Sequence, residues 1–342
     1  MLMNEYNSIL RRRRQNLIIV EGKHEKSIFF KLIFQIFPEL DISLDDVWVY
    51  GTNIYVLYNN IVLEYGKEWY DEDVDLAYIV GKKLKHHTTL SKYDFTNIFL
   101  VFDYERHDPN FSEEKIGNMQ RYFNDSTDSG KLYINYPMLE SYQHFKCFPD
   151  PKYMNLTIDV TLQPGAKYKS LVSNSFMDKL INFPYKIEKI LSTKYGIKNI
   201  NTTRTLVQKI LEISNLRKLR KNVSQILFGA IPEPKLYKAI SEIEKLLADI
   251  DYLYKNLNYY EFMRDNFKQI ILHNIYKGRL ILDRKPSRKQ VSNKYLFESL
   301  DLNEILMIQN QVSRDEISGF IWVLNTCVFI IPDYNFNLLE NA

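Results

Sequence analysis

The chain has 342 residues, 45% apolar and 25% charged, which excludes disorder over most of its length and suffices for about two domains with buried cores. Lys and Arg total 45 against 42 Asp and Glu, and the net charge of +3 alone implies no polyanion partner. The charge is unevenly spread, however: residues 1–150 hold 17 basic and 23 acidic side chains and residues 151–342 hold 28 and 19, so an acidic half is joined to a basic half.

The predicted elements of the first half alternate strand and helix. Arg11 to Arg14 precede a short apolar strand, Leu17 to Val20, which ends at Glu21-Gly22; four apolar residues are too few for a signal peptide. Phe29, Leu32, Ile33 and Ile36 recur at helical spacing, and Pro38 stops that helix. Val47 to Tyr50 is a second strand closed by Gly51, and Ile54 to Tyr65 a helix ended by Gly66. Residues 71–94 read as a polar, partly helical insertion. Ile98 to Phe102 is the clearest buried strand. Ser112 caps a helix that carries Glu113 and Glu114 in its first turn and runs to about Phe123. A turn at Asp128-Ser129-Gly130 leads into a fourth strand, Lys131 to Asn135.

This alternation predicts a mainly parallel four-stranded sheet flanked by helices over residues 1–150, with ligands bound beyond the carboxyl ends of the strands. Residues 151–174 read as irregular, with Pro151, Pro164 and Gly165 as breakers. From Ser175 onward, apolar residues recur at helical spacing (Leu206, Ile210, Ile213, Leu216; Tyr237, Ile240, Ile243, Leu247) and predict a mostly α-helical domain over 151–342. Val323 to Ile331, interrupted by Asn325 and Thr326, is too short to span a bilayer. Two cysteines, Cys147 and Cys327, exclude a disulfide framework or a thiolate zinc site, and a reducing cytoplasmic setting is expected.

Acidic residues cluster where the predicted strands end: Glu21 with Glu25, then Asp103 with Glu105 and Asp108, then Glu140 after the fourth strand. Like charges at such short range repel and raise one another's pKa, and a hard divalent cation relieves the repulsion through oxygen ligands. In Asp103-Tyr104-Glu105 the first and third side chains point to one side if the segment is extended. Gly22 allows a sharp turn with room for a phosphate. Solvated loop carboxylates and helix caps are the alternative for each cluster, and for Glu140 a helix-start residue favoured by the dipole.

The run Ile19-Val20-Glu21-Gly22-Lys23-His24-Glu25, the glycine-ended strand Trp48-Val49-Tyr50-Gly51 and Val101-Phe102-Asp103-Tyr104-Glu105 together resemble a Toprim domain, over about residues 16–145. The resemblance implies that Glu21 acts in acid–base chemistry and that Asp103 and Glu105 hold Mg2+ (or Mn2+), with Glu25 and Asp108 as further metal ligands. Glu140, Gly22 and Lys23 would be accessory residues. The family's acidic pair is usually Asp-x-Asp, so Glu105 departs from it by one methylene, and Asp108 is the alternative for that ligand position. Among Toprim proteins the chain looks most like effectors of overcoming-lysogenization-defect and abortive-infection antiphage systems. That likeness implies a metal-dependent endonuclease on DNA or RNA, working beside a separate ABC- or SMC-like ATPase and with room for a homodimer. A degenerate Toprim binding or regulatory subunit of an ATPase complex is the alternative, and Glu105 is the feature that sustains it.

The chain lacks a Gly-x4-Gly-Lys-Ser/Thr loop, so it is not that ATPase, and the lack of a Gly-x-Ser-x-Gly elbow and a Gly-x-Gly-x-x-Gly fingerprint argues against a hydrolase-fold esterase or dinucleotide oxidoreductase. His86-His87 follows a basic run, and His107 stands beside the acidic loop where it can touch a phosphate. Basic residues gather at Lys209, Arg217, Lys218, Arg220 and Lys221, with Arg217 and Lys221 four apart on one face, and at Arg279, Arg284, Lys285, Arg288 and Lys289 around Pro286. Either group suits nucleic-acid backbone, Arg217, Lys218, Arg220, Lys221, Arg284 and Arg288 above all; an ordinary solvated face accounts for each group alone.

Overall fold

A computed structural model describes residues 14–85, 90–162, 165–250, 252–283 and 291–340. Strands β1 (Arg14–Val20), β2 (Val47–Val49), β3 (Phe95–Asp103), β4 (Asn124–Asp125) and β5 (Gly130–Asn135) form one sheet in the order β2-β1-β3-β5-β4. β1 runs parallel to β2 and β3, and β3 parallel to β5; only the two-residue β4 is antiparallel. The expected four parallel strands are therefore present, and β4 is the addition, too short to show as a pattern. Leu17 to Val20 are fully buried, and Ile98 to Phe102 nearly so, because helices cover both faces of the sheet.

The helices start and stop for local reasons. Asn53 Oδ1 accepts the Val56 N–H (3.2 Å) at the head of Ile54–Tyr65, and Gly66, at φ +89°, ends that helix. Ser112 Oγ caps Glu113–Tyr122 by accepting the Lys115 N–H (3.3 Å). The helix after β1 opens with a π-helical turn, Glu25–Phe30, before Lys31–Ile36. Such widened turns gather at functional sites, and this one carries Glu25.

The boundary expected at residue 150 is not where the chain divides. One compact unit takes in residues 14–142, 151–171 and 270–340; the other takes in 143–150 and 172–269. The reason is long-range pairing that no local pattern announces. Leu324 bridges Tyr136 at the end of β5 (N···O 2.8 and 2.9 Å), and Thr326 Oγ1 donates to Ile134 O (2.8 Å). β6 (Thr157–Asp159) pairs with β7 (Phe320–Trp322), so the stretch read as irregular contains a strand, and helix Ala166–Val172 follows it. Buried Lys277 donates to the carbonyls of Tyr153 and Leu156, both at 2.7 Å, and ties the same segments together.

The second unit is helical, as expected, and packs Leu206, Ile210, Val223, Leu227, Ile243 and Leu247 inside; Tyr237, assigned to the same stripe, is 68% exposed. Among the described residues no helix is long and apolar enough to cross a membrane.

Candidate functional site

The register of the sheet brings the first acidic residues together. Val20 stands opposite Val101, so Glu21 leaves β1 beside the end of β3, of which Asp103 is the last residue. Glu21 N–H donates to Val101 O (3.3 Å), and Glu21 Oε2 accepts the Asp103 N–H (3.4 Å). The Asp103 carboxylate, 7% exposed, accepts the Leu139 N–H at Oδ1 (2.8 Å), which carries the turn bearing Glu140 to the same edge.

Glu25 and Glu140 complete the buried group. Each has one carboxylate oxygen, Oε2, that is buried without a hydrogen-bond partner among the described residues. Glu140 Oε1 lies 3.0 Å from Lys169 Nζ and 3.7 Å from His24 Nε2. Gly22 leaves room for Glu25, because a Cβ there would come within 2.9 Å of Glu25 Oε2 and displace that carboxylate. The predicted glycine thus makes room for a carboxylate of the protein itself.

The electrostatics match this crowding. Burial, then the charges of Glu105, Glu25 and Asp108, push the Glu21 carboxyl from 4.5 up to about 8, against the Asp103 N–H, which lowers it. Asp103 is pushed well above the carboxylate range by burial and then by Glu21, Glu25, Glu140 and Glu105. Glu25 is raised by burial and by Glu140, and Glu105 by burial and by Asp108. Lys169 holds its proton more tightly than usual: burial opposes this, but Glu140, Asp103 and Glu25 outweigh it.

The loop after β3 differs from the expected extended alternation. Glu105 N–H donates to Asp103 O (3.0 Å) and Arg106 N–H to Tyr104 O (2.5 Å), so the chain turns at once. The Tyr104 hydroxyl goes to Asn310 (2.7 Å) and Ser313 (3.1 Å). Asp108 is held by Asn53 Nδ2 (2.6 Å) and the Asn110 N–H (2.7 Å), whereas Glu105 has no such side-chain tie among the described residues and exerts the largest charge effect on Glu21. Of the two candidates for that ligand position, Glu105 is the freer. Lys23 is exposed, with no carboxylate within ion-pair distance among the described residues.

Several neighbours were not legible in the sequence. Lys169 and His24 flank Glu140. Asn325 Nδ2 donates to Leu139 O (2.8 Å) and Ser141 Oγ (3.0 Å), bracing the Glu140 turn. Buried Cys327 donates to Asn325 Oδ1 (3.1 Å), and its thiol is pushed far up by burial and by Asp103 and Glu25. Lys169 lies in the stretch read as irregular, on the helix Ala166–Val172, and nothing local marks it, Asn325 or Cys327.

In the second unit Arg217, Lys218, Arg220 and Lys221 are all exposed, but Arg217 and Lys218 sit in a 3-10 turn (Leu216–Lys218) ahead of helix Leu219–Leu227. They do not share one helical face with Lys221, because the geometry changes between them. Arg220 lies over the Tyr237 ring (4.7 Å) and 3.7 Å from Glu244. Arg279 donates to Ser299 O (3.0 Å) rather than facing solvent as part of a patch. Arg11 to Arg13, His86, His87, Arg284, Lys285, Pro286, Arg288 and Lys289 lie outside the described residues.

The donor set at the sheet edge is all oxygen, two of its oxygens are buried and unpartnered, and its charges repel, which is the chemistry a hard divalent cation fits. Among the described residues no three His, Cys, Asp or Glu stand at the spacing that would grip an ion outright. No protein-family model, curated protein or solved structure matches the chain.

Proposed function

We propose that the chain is a Toprim-type, divalent-metal-dependent endonuclease that hydrolyses phosphodiester bonds of DNA or RNA. The observation that carries this reading is the convergence of Glu21, Glu25, Asp103, Glu105 and Glu140 at the carboxyl edge of a parallel sheet, where burial and neighbouring carboxylates raise the proton affinities of Glu21, Glu25, Asp103 and Glu105. Asp103, Glu105 and Glu25 would hold Mg2+ or Mn2+, which when bound polarises a phosphate and its attacking water. Glu21, whose proton is shared with solvent near neutral pH, is poised to take or give a proton there. Lys169, on the Glu140 side, offsets part of the negative charge that an incoming phosphate meets. Exposed Arg217, Lys218 and Lys221 would neutralise backbone phosphates. In this reading the protein serves as the effector of an antiphage system in the cytoplasm, beside a separate ABC- or SMC-like ATPase and able to form a homodimer.

The test is metal-dependent cleavage by purified Glu21→Gln protein. Loss of cleavage with an unchanged circular dichroism spectrum supports the assignment, and retained cleavage rejects it. One observation favours a second reading, a binding or regulatory subunit whose acidic edge does no chemistry. It is the lack of a ready-made three-residue ion cage among the described residues.

A further inference from the structure

A cavity of about 480 Å3 opens beside the acidic edge, lined by Arg106, His107, Asp108, Phe111, Val160, Thr161 and Glu316. Its volume is that of a small-ligand site. Its Asp108 lies in the loop that leaves Asp103, the last residue of β3, where Asp108 N–H donates to Glu105 O (3.0 Å).

Arg106 is the unusual member. Its guanidinium lies over the Phe111 ring, 4.5 Å from the centroid, and Phe111 is braced edge-on by Tyr55 (6.0 Å) and Tyr104 (5.9 Å). Nη2 donates to Ser313 O (3.4 Å), yet Nε is buried with no hydrogen-bond partner among the described residues. No carboxylate stands within ion-pair distance of Arg106 among the described residues, although acidic residues flank it in sequence. A braced, half-buried guanidinium without an anion offers a flat face for stacking and donors for a phosphate.

The same cavity also presents acceptors. Thr161 Oγ1 donates its proton to Asp159 Oδ1 (2.6 Å), so any further hydrogen bond it makes is as an acceptor. Glu316 is exposed and Asp108 carries acceptor oxygens already shared with Asn53 and Asn110. Carboxylates and hydroxyl lone pairs accept from exocyclic amines, as on cytosine, adenine and guanine, and face the carbonyl-flanked edge of thymine or uracil unfavourably.

We infer that this cavity receives one unpaired nucleotide next to the phosphate to be cut, stacked on Arg106 and read on its amine-bearing edge by Glu316 and Thr161. The inference rests on the nuclease reading for the place of the phosphate. It restricts the substrate class to single strands, loops and frayed ends, because a base stacked and paired in a duplex cannot enter the cavity without being extruded.

The experiment measures binding and cleavage separately on the full chain. Binding is read by fluorescence anisotropy in calcium buffer, with fluorescein-labelled single strands and duplexes of one sequence, as DNA and as RNA, and with oligo(dC) against oligo(dT). Cleavage of the same strands is read in magnesium. The expected result is binding to the single strand about tenfold tighter than to the duplex, worth about 1.4 kcal/mol. Arg106→Ala should lose most of that advantage. Glu316→Gln, at an exposed side chain, should reduce the preference for oligo(dC) over oligo(dT) by about fivefold. If Arg106→Ala does not fold, the Glu316→Gln ratio decides alone. Equal binding of single strand and duplex by the wild type, or a dC/dT ratio untouched by Glu316→Gln, overturns the inference whatever cleavage shows. Arg106-dependent single-strand binding without any magnesium-dependent cleavage would instead remove the nuclease reading and leave the nucleotide pocket standing.

Discussion

Glu21→Gln tests the acidic edge by stability as well as by activity. The site lifts the Glu21 carboxyl from 4.5 to about 8. At about 1.4 kcal/mol per pH unit, this disfavours its ionised form by up to about 5 kcal/mol. Glu21 is partly solvated and its neighbours share the repulsion, so the realised cost is on the order of 2 kcal/mol. The sign follows from proton linkage. Between the unfolded value near 4.5 and the folded value near 8 the native protein holds a proton that the unfolded chain has released, so stability falls as pH rises through that window and is fully present below it. Asp103, Glu25 and Glu105, all raised, slope the same way. Urea unfolding at pH 5, 7 and 9 in chelator should therefore show wild type losing stability with pH. Glu21→Gln should lose less and be the more stable protein at pH 9, by about 2 kcal/mol, while metal-dependent cleavage is abolished. Parallel pH profiles for the two proteins, or a variant less stable than wild type at pH 9, would refute the reasoning.

The same edge makes three further expectations. Millimolar Mg2+ or Mn2+ should raise the melting temperature at pH 8, with about 2.7 kcal/mol gained at a hundredfold excess over the dissociation constant; a flat titration by calorimetry favours the binding-subunit reading. Gly22→Ala should shift the Glu25 carboxylate, which lies 2.9 Å from the added methyl, and weaken that ion response several-fold at a stability cost below about 1 kcal/mol, since the clash falls on the end of a side chain; an unchanged titration counts against Glu25 as a ligand. Asn325→Ala should remove the donors to Leu139 O and Ser141 Oγ and cost about 1–3 kcal/mol in chemical unfolding, at any pH from 5 to 9, because the buried acceptors lose their partner. Wild-type stability in that variant would mean the Glu140 turn is held by other contacts.

Much of the sheet was legible because its signals are local. Buried strands such as Ile98 to Phe102 are unbroken apolar runs, and Gly66 and Ser112 mark helix ends by their own conformational and hydrogen-bonding preferences. The spacing of Glu21 and Asp103 at strand ends put both carboxylates at one edge once β1 and β3 proved to be neighbours. The alternation expected for Asp103 and Glu105 did not hold, because the chain turns one residue after the strand and Tyr104 leaves toward Asn310.

The sequence by itself determined the order of strands and helices in the first 150 residues, the glycine beside Glu25 and the acidic character of the strand ends, since each depends on residues a few positions apart. Only the tertiary structure decided that residues 270–340 belong with the sheet, that Lys169 and Asn325 stand by Glu140, and that Arg106 rests on Phe111 at the wall of a cavity. Apart from Arg106 on Phe111, those contacts join segments far apart in the chain, and the free energy that makes them comes from burial and pairing across the whole unit rather than from any local preference.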